Sequence, residues 1–75
     1  MDPFWKPAHE ALISRRAVLL GRELSDEQRR ELADIEAALA RLSSGSYGHC
    51  EQCGRAIGRQ RLRAVPEARH CASCG

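Results

Sequence analysis

Every cysteine of this 75-residue chain sits in one of two repeated units, Cys50-Glu51-Gln52-Cys53-Gly54 and Cys71-Ala72-Ser73-Cys74-Gly75. Any fold must accommodate both. Two close cysteine pairs separated by roughly 15–20 residues have the spacing of a four-cysteine zinc site. Zinc takes four ligands at tetrahedral corners, about 2.3 Å from each sulfur. Two intervening residues let one tight turn present both sulfurs of a pair to the same ion. Gly54 and Gly75 suit such turns, because glycine tolerates positive φ.

Two other fates compete. A pair of disulfides needs an oxidising compartment. The amino-terminal stretch, with Asp2 early and Arg15–Arg16 interrupting its apolar run, does not read as a signal peptide. No segment approaches the length of a membrane span. The expected location is therefore cytoplasmic, where thiols stay reduced. A thioredoxin-like redox centre needs a βαβ context that neither pair has. The spacing thus predicts one structural Zn²⁺ held by Cys50, Cys53, Cys71 and Cys74. Four sulfurs close the shell and leave no position for water or substrate. With no nucleophile–base set in view either, an enzyme is not expected. His49 and His70 precede ligand cysteines and read as outer or surface residues, and His9 as a helix-surface residue.

A chain this short buries a small share of its surface and usually needs a staple. One Phe, one Trp and one Tyr make the core supply thin, so the metal is the expected staple. Charge is uneven. Residues 49–75 carry Arg55, Arg59, Arg61, Arg63 and Arg69 against Glu51 and Glu67, while the whole chain is only +2. A four-thiolate zinc centre adds −2 and brings the chain to about zero. That argues against strong nonspecific nucleic-acid binding, which depends on phosphate neutralisation. The arginines read equally as a patch for an acidic protein or phosphate and as a solvated surface.

Upstream, helix signals fill residues 7–43. Pro7 suits a first helical turn. Ile13, Ala17, Leu20 and Leu24 recur at helical spacing, widened by Leu12 and Leu19. The stretch around Ser25 breaks the pattern. Ser25 with Gln28 forms a capping box, and Asp26 and Glu27 fall where the helix dipole favours acids. The second stripe is Leu32, Ile35, Leu39 and Leu42, with Asp26–Arg30 and Arg30–Asp34 as solvent-face pairs. Gly45 reads as the carboxy-terminal cap. The fold class expected is mainly α with a small zinc-ribbon-like element: an antiparallel helical hairpin over residues 1–45 (helices about 7–22 and 26–43), packed as a short coiled coil, then a four-cysteine zinc finger over 46–75. Phe4 and Trp5 either cover the open end of the hairpin or mark a partner contact. Ile57, Leu62 and Val65 should cluster against the metal. A helical turn is expected near 59–63, stopping before Pro66. Tyr47–His49 and Ala68–His70 are expected to pair as two very short strands.

From Ala38 to Cys74 the sequence resembles the carboxy-terminal zinc-finger region of the DksA/TraR family of bacterial transcription regulators. The shared features are Ala38-x-x-Arg41-Leu42-x-x-Gly45-x-Tyr47-Gly48, Cys50-x2-Cys53-Gly54 with Ile57, Arg61-Leu62-x-Ala64-x-Pro66, and the second cysteine pair. The resemblance implies a protein that binds RNA polymerase without contacting DNA specifically. It implies a hairpin tip placed in the secondary channel, and for some members joint action with ppGpp. The tip residues here are Glu23, Asp26 and Glu27. The family motif Asp-x-x-Asp-x-Ala reads Glu23-x-x-Asp26-x-Gln28, so two carboxylates remain and the alanine does not. The hairpin is shorter than in full-length members, and contacts made by a helix after the last cysteine are not carried over. The alternative function is a zinc-ribbon interaction module with a partner other than polymerase.

Overall fold

The computed structural model describes residues 5–74. Phe4 and Gly75, read above as a hairpin cover and a turn glycine, lie outside them. Three helices follow in order: α1 (Lys6–Leu20), α2 (Asp26–Ser44) and α3 (Arg59–Ala64). The first two pack against each other as the hairpin, and the third lies between the two cysteine pairs. No strand forms among the described residues.

Local chemistry sets the ends of the hairpin helices. Pro7 occupies the first turn of α1, where its missing N–H is harmless. The helix stops at Leu20, before Gly21 and short of residue 22. At α2 the capping box forms in full: the Gln28 amide donates to Ser25 Oγ at 3.2 Å, and the Ser25 amide donates to Gln28 Oε1 at 3.0 Å. Asp26 and Glu27 occupy the first turn and Arg41 the last. Gly45, at φ 85°, closes the helix in the left-handed conformation that glycine adopts freely.

The hairpin core is Leu12, Leu19, Ile35, Ala38 and Leu42, all buried. Leu24, Leu32 and Leu39 pack against it, half-buried. The stripe of α2 lies where the periodicity puts it, with Ala38 added. That of α1 does not. Ala17 and Leu20 are exposed, and Leu12 and Leu19 are the buried pair. Apolar residues run almost all round α1, so its periodicity does not single out a face. The facing residues of α2 decide it. The solvent-face pairing also differs: Asp26 pairs with Arg29, and Asp34 with Arg69 of the finger.

The core continues without a break into Tyr47, Ile57, Leu62 and Ala68, together with Cys50 and Cys71. The seam is aromatic. Trp5, at the start of α1, meets Tyr47 edge-on, with centroids 4.9 Å apart, a favoured arrangement for two rings. The Tyr47 hydroxyl donates to the Pro66 carbonyl at 2.8 Å. Gly48 lies beneath Trp5 at φ 90°, and a Cβ there would come within 3.1 Å of the indole. Only glycine satisfies both constraints.

Candidate metal centre and hairpin tip

Each cysteine pair is presented by a backbone turn. In the first, the Gly54 amide returns to the Cys50 carbonyl at 2.9 Å, with Gly54 at φ 77°. Cys50 donates to the Arg55 carbonyl and Ile57 to the Gly48 carbonyl, so the chain folds back on itself around the knuckle. In the second, the Cys74 amide donates to the Cys71 carbonyl at 3.1 Å. The Glu51 amide donates to the Arg69 carbonyl at 2.9 Å and joins the two turns. This replaces the expected pairing of Tyr47–His49 with Ala68–His70. His49 instead bridges Ala56, because the tight first turn holds its own two flanks side by side.

The four Sγ atoms lie within 4.8 Å of one another, and those of Cys53 and Cys71 are 3.6 Å apart. Tetrahedral zinc at its usual sulfur distance needs sulfurs about 3.8 Å apart. The thiols do not share protons evenly. The amide of Cys71 holds Cys50 down at about 6 against the burial that pushes it up. The amide of Cys74 likewise lowers Cys71. The neighbouring sulfurs of Cys71, Cys53 and Cys50 push Cys74 up to about 12. On Cys53 the Arg55 amide pulls down, but burial and the Cys50 and Cys71 sulfurs outweigh it. Four crowded sulfurs cannot all ionise alone, since each thiolate opposes the next. A divalent cation at their centre removes that conflict. Amides already aimed at Cys50 and Cys71 are the donors that temper a metal-bound thiolate. The donor set therefore fits one Zn²⁺ and, being complete, one with a structural role. Neither His49 nor His70 joins a metal-ligating group among the described residues.

Ion pairs fix this centre to the hairpin. Arg41, in the last turn of α2, donates to Glu51 at 3.1 Å and to the Ala68 carbonyl at 3.3 Å. Arg69 bridges Glu51 at 3.2 Å and Asp34 at 3.0 Å. Arg15 of α1 pairs with both Glu31 and Glu67. Sequence reasoning missed these links and the Trp5–Tyr47 seam. Arg41 and Tyr47 had a signal as part of the quoted run, and Trp5 as a candidate cover of the hairpin's open end, but none of these named the partner. Ile57 and Leu62 do pack beside the sulfurs' turns, but Val65 is 39% exposed. It follows α3, which ends at Ala64, and stays at the surface while Ala68 joins the core cluster.

At the far end, Glu23, Asp26 and Glu27 are all exposed. They share one turn and one cap. Gln28, which stands where the motif has alanine, is committed to the capping box. No helix among the described residues is long and apolar enough to cross a membrane.

Residues 45–75 match the family described as the prokaryotic dksA/traR C4-type zinc finger. A protein of Aquifex aeolicus without an assigned function is 43% identical over 51 residues, which are 68% of this chain and 35% of that one. The RNA polymerase-binding transcription factor DksA of Caulobacter vibrioides is 49% identical over 43 residues, 57% of this chain and 30% of that one. The chain thus spans about a third of the length of these curated relatives. A solved structure of the RNA polymerase binding protein and transcriptional regulator Dks from Chlamydia trachomatis L2 superposes with a TM-score of 0.89 at 27% identity, covering 99% of this chain and 85% of that one.

Proposed function

We propose that the chain, whose residues 45–75 match the dksA/traR C4-type zinc finger and whose fold superposes on the Chlamydia Dks regulator, is a DksA-like transcription regulator that binds RNA polymerase through its helical hairpin. The observation that carries this reading is the correspondence over nearly the whole chain with the Chlamydia regulator, hairpin and finger together. The exposed carboxylates of Glu23, Asp26 and Glu27 supply a negatively charged point at the end of a rigid arm. The family resemblance implies such a tip in the secondary channel of the polymerase. Their exposure leaves them available to a partner.

In this reading residues 1–45 are the working arm and 46–75 the zinc-ordered base. Zn²⁺ on Cys50, Cys53, Cys71 and Cys74 organises the base and takes no part in chemistry, because no ligand position is left open. The relatives' names describe transcription factors rather than enzymes, in keeping with a non-enzymatic, cytoplasmic role. Direct sequence-specific DNA binding and membrane association are not part of this reading. Neither is ppGpp: in the groove between hairpin and finger, Arg15 and Arg69 are paired with Glu31, Glu67, Glu51 and Asp34, and of its arginines only Arg30 is left without an ion pair among the described residues for a polyphosphate.

The test is a native gel of the zinc-loaded protein with bacterial RNA polymerase core at micromolar concentration and low salt. A discrete complex is expected, weakened by Asp26→Asn combined with Glu23→Gln. Absence of any complex overturns the reading and leaves the alternative, an interaction module for a different protein, to which the exposed Val18 and Leu20 of α1 would then be the guide.

A further inference from the structure

At the end of the hairpin away from the acidic tip, α1 and α3 leave a groove of about 410 Å³ between them. Its walls are Trp5 and Ala8 on one side and Leu62 and Pro66 on the other, and Arg59 and Arg63 stand at its rim. That size lies within the range of roughly 300–1,000 Å³ seen for ligand-binding clefts. The tip is the length of α1 away, about 22 Å for its fifteen residues at the helical rise.

We propose that this groove is a docking site for an acidic peptide segment of a partner protein, one that presents one or two bulky apolar side chains between carboxylates. The walls are pre-formed. Leu62 and Pro66 are buried in the finger, and Trp5 is fixed against Tyr47 and Gly48, so an incoming side chain meets a rigid apolar surface. Charge supports the choice of partner. Of the other finger arginines, Arg69 is engaged by Glu51 and Asp34 and Arg61 by the His70 carbonyl, while Arg55 is exposed away from the groove. Arg63 is exposed and makes no ion pair among the described residues. Arg63 therefore sets a positive charge at the lip of an apolar slot. A nucleic acid fits poorly, because the floor is aliphatic and its one aromatic ring is packed edge-on against Tyr47 rather than open for stacking. The other candidate occupant is a second copy, whose own tip carries Glu23, Asp26 and Glu27 beside the exposed Leu20.

Trp5 is the only tryptophan in the chain, so its emission reports on the groove directly. The probe is a capped peptide, acetyl-Glu-Asp-Leu-Phe-Glu-Asp-Leu-Glu-amide, titrated into the zinc-loaded protein at low salt. A saturable shift of Trp5 emission is expected, with no response to the same peptide carrying Lys for every acid. Arg63→Glu should weaken the acidic peptide roughly three- to tenfold, as the reversal of a rim charge does, and should gain binding to the Lys peptide. Ala8→Glu, which places a carboxylate inside the slot but in a helix first turn where it is tolerated, should abolish the shift while the helical circular dichroism stays unchanged. No saturable shift at millimolar peptide overturns the proposal. So does an equal response of the wild type to the Lys peptide. A shift that follows protein concentration alone, with dimers in sedimentation, overturns it in favour of the second copy. No polymerase is present in the assay, so its failure leaves the reading of the hairpin tip standing.

Discussion

The hairpin and the finger are stabilised by opposite strategies. The hairpin spreads its support along two helices: Leu12 and Leu19 of α1 face Ile35, Ala38 and Leu42 of α2, and a capping box and a left-handed glycine close α2. Each such buried side chain contributes on the order of 1.5–3 kcal/mol, and no single one dominates. The finger has one helix of six residues and a backbone that mostly turns. Its order converges on four sulfurs within 4.8 Å of each other. Distributed support degrades gradually under mutation, whereas support focused on one point fails at once. The two regions are nevertheless not independent, since Trp5, Tyr47 and three arginines join them.

The largest break in this comparison is removal of the metal. Zinc binding in small modules is worth about 10–16 kcal/mol and is largely folding energy, far more than the finger's few buried side chains can replace. Cys53→Ser, or a strong chelator, should therefore unfold residues 46–74 and leave part of the helix in α1 and α2. Amide spectra unchanged after zinc loss, or equal collapse of both regions, would contradict a focal finger and a distributed hairpin.

Next in size is the seam. Trp5→Ala removes a ring packed on Tyr47 and over Gly48 and should cost about 3–5 kcal/mol. If the regions are joined chiefly there, hydrogen exchange should rise in both, beginning near Pro66, where the Tyr47 hydroxyl is anchored. Exchange confined to α1 would place the joint in the arginine links instead. Ser25→Ala then isolates the hairpin. Loss of the cap should cost about 1 kcal/mol, visible as fraying of the first turn of α2, with the finger's amides and zinc affinity unchanged.

The smallest expected effect is Arg69→Ala. It removes pairs to Glu51 and Asp34 that are both more than a third exposed, and exposed pairs are worth roughly 0–1 kcal/mol each. Thermal melts should drop slightly at low salt, and the difference should vanish at high salt, where such pairs are screened. A large, salt-independent loss would mean that Arg69 packs rather than pairs. Alkaline titration sharpens the same point for Tyr47. Burial holds its phenol above 10, so the neutral form is favoured in the folded state. Its contribution is complete below about pH 10 and should fall as the pH rises through the folded value, a dependence that Tyr47→Phe should remove.

Much was legible because it is local. The second helix, its capping box at Ser25 and Gln28 and its end at Gly45 follow from residues within a few positions of one another. The turn at Arg59–Ala64 before Pro66 is of the same kind. The convergence of the four cysteines is nearly so, since each turn supplies two. The main misreadings are non-local. α1 is apolar round most of its circumference, so only the partner helix selects Leu12 and Leu19 over Ala17 and Leu20. Asp34 is equally near Arg30 in sequence and Arg69 in space, and it takes the latter.

The sequence by itself determined two helices, a break between them, and a pair of knuckles able to share one zinc ion, because caps, turns and ligand spacing act over a handful of residues. Tertiary structure alone decided which face of α1 is buried, that the first knuckle folds back on Ala56 instead of pairing with the second, and that Trp5 and Arg15 reach across to the finger. Those choices depend on which surfaces meet when distant segments compete for the same apolar contacts and charges, and no spacing along the chain encodes the winner.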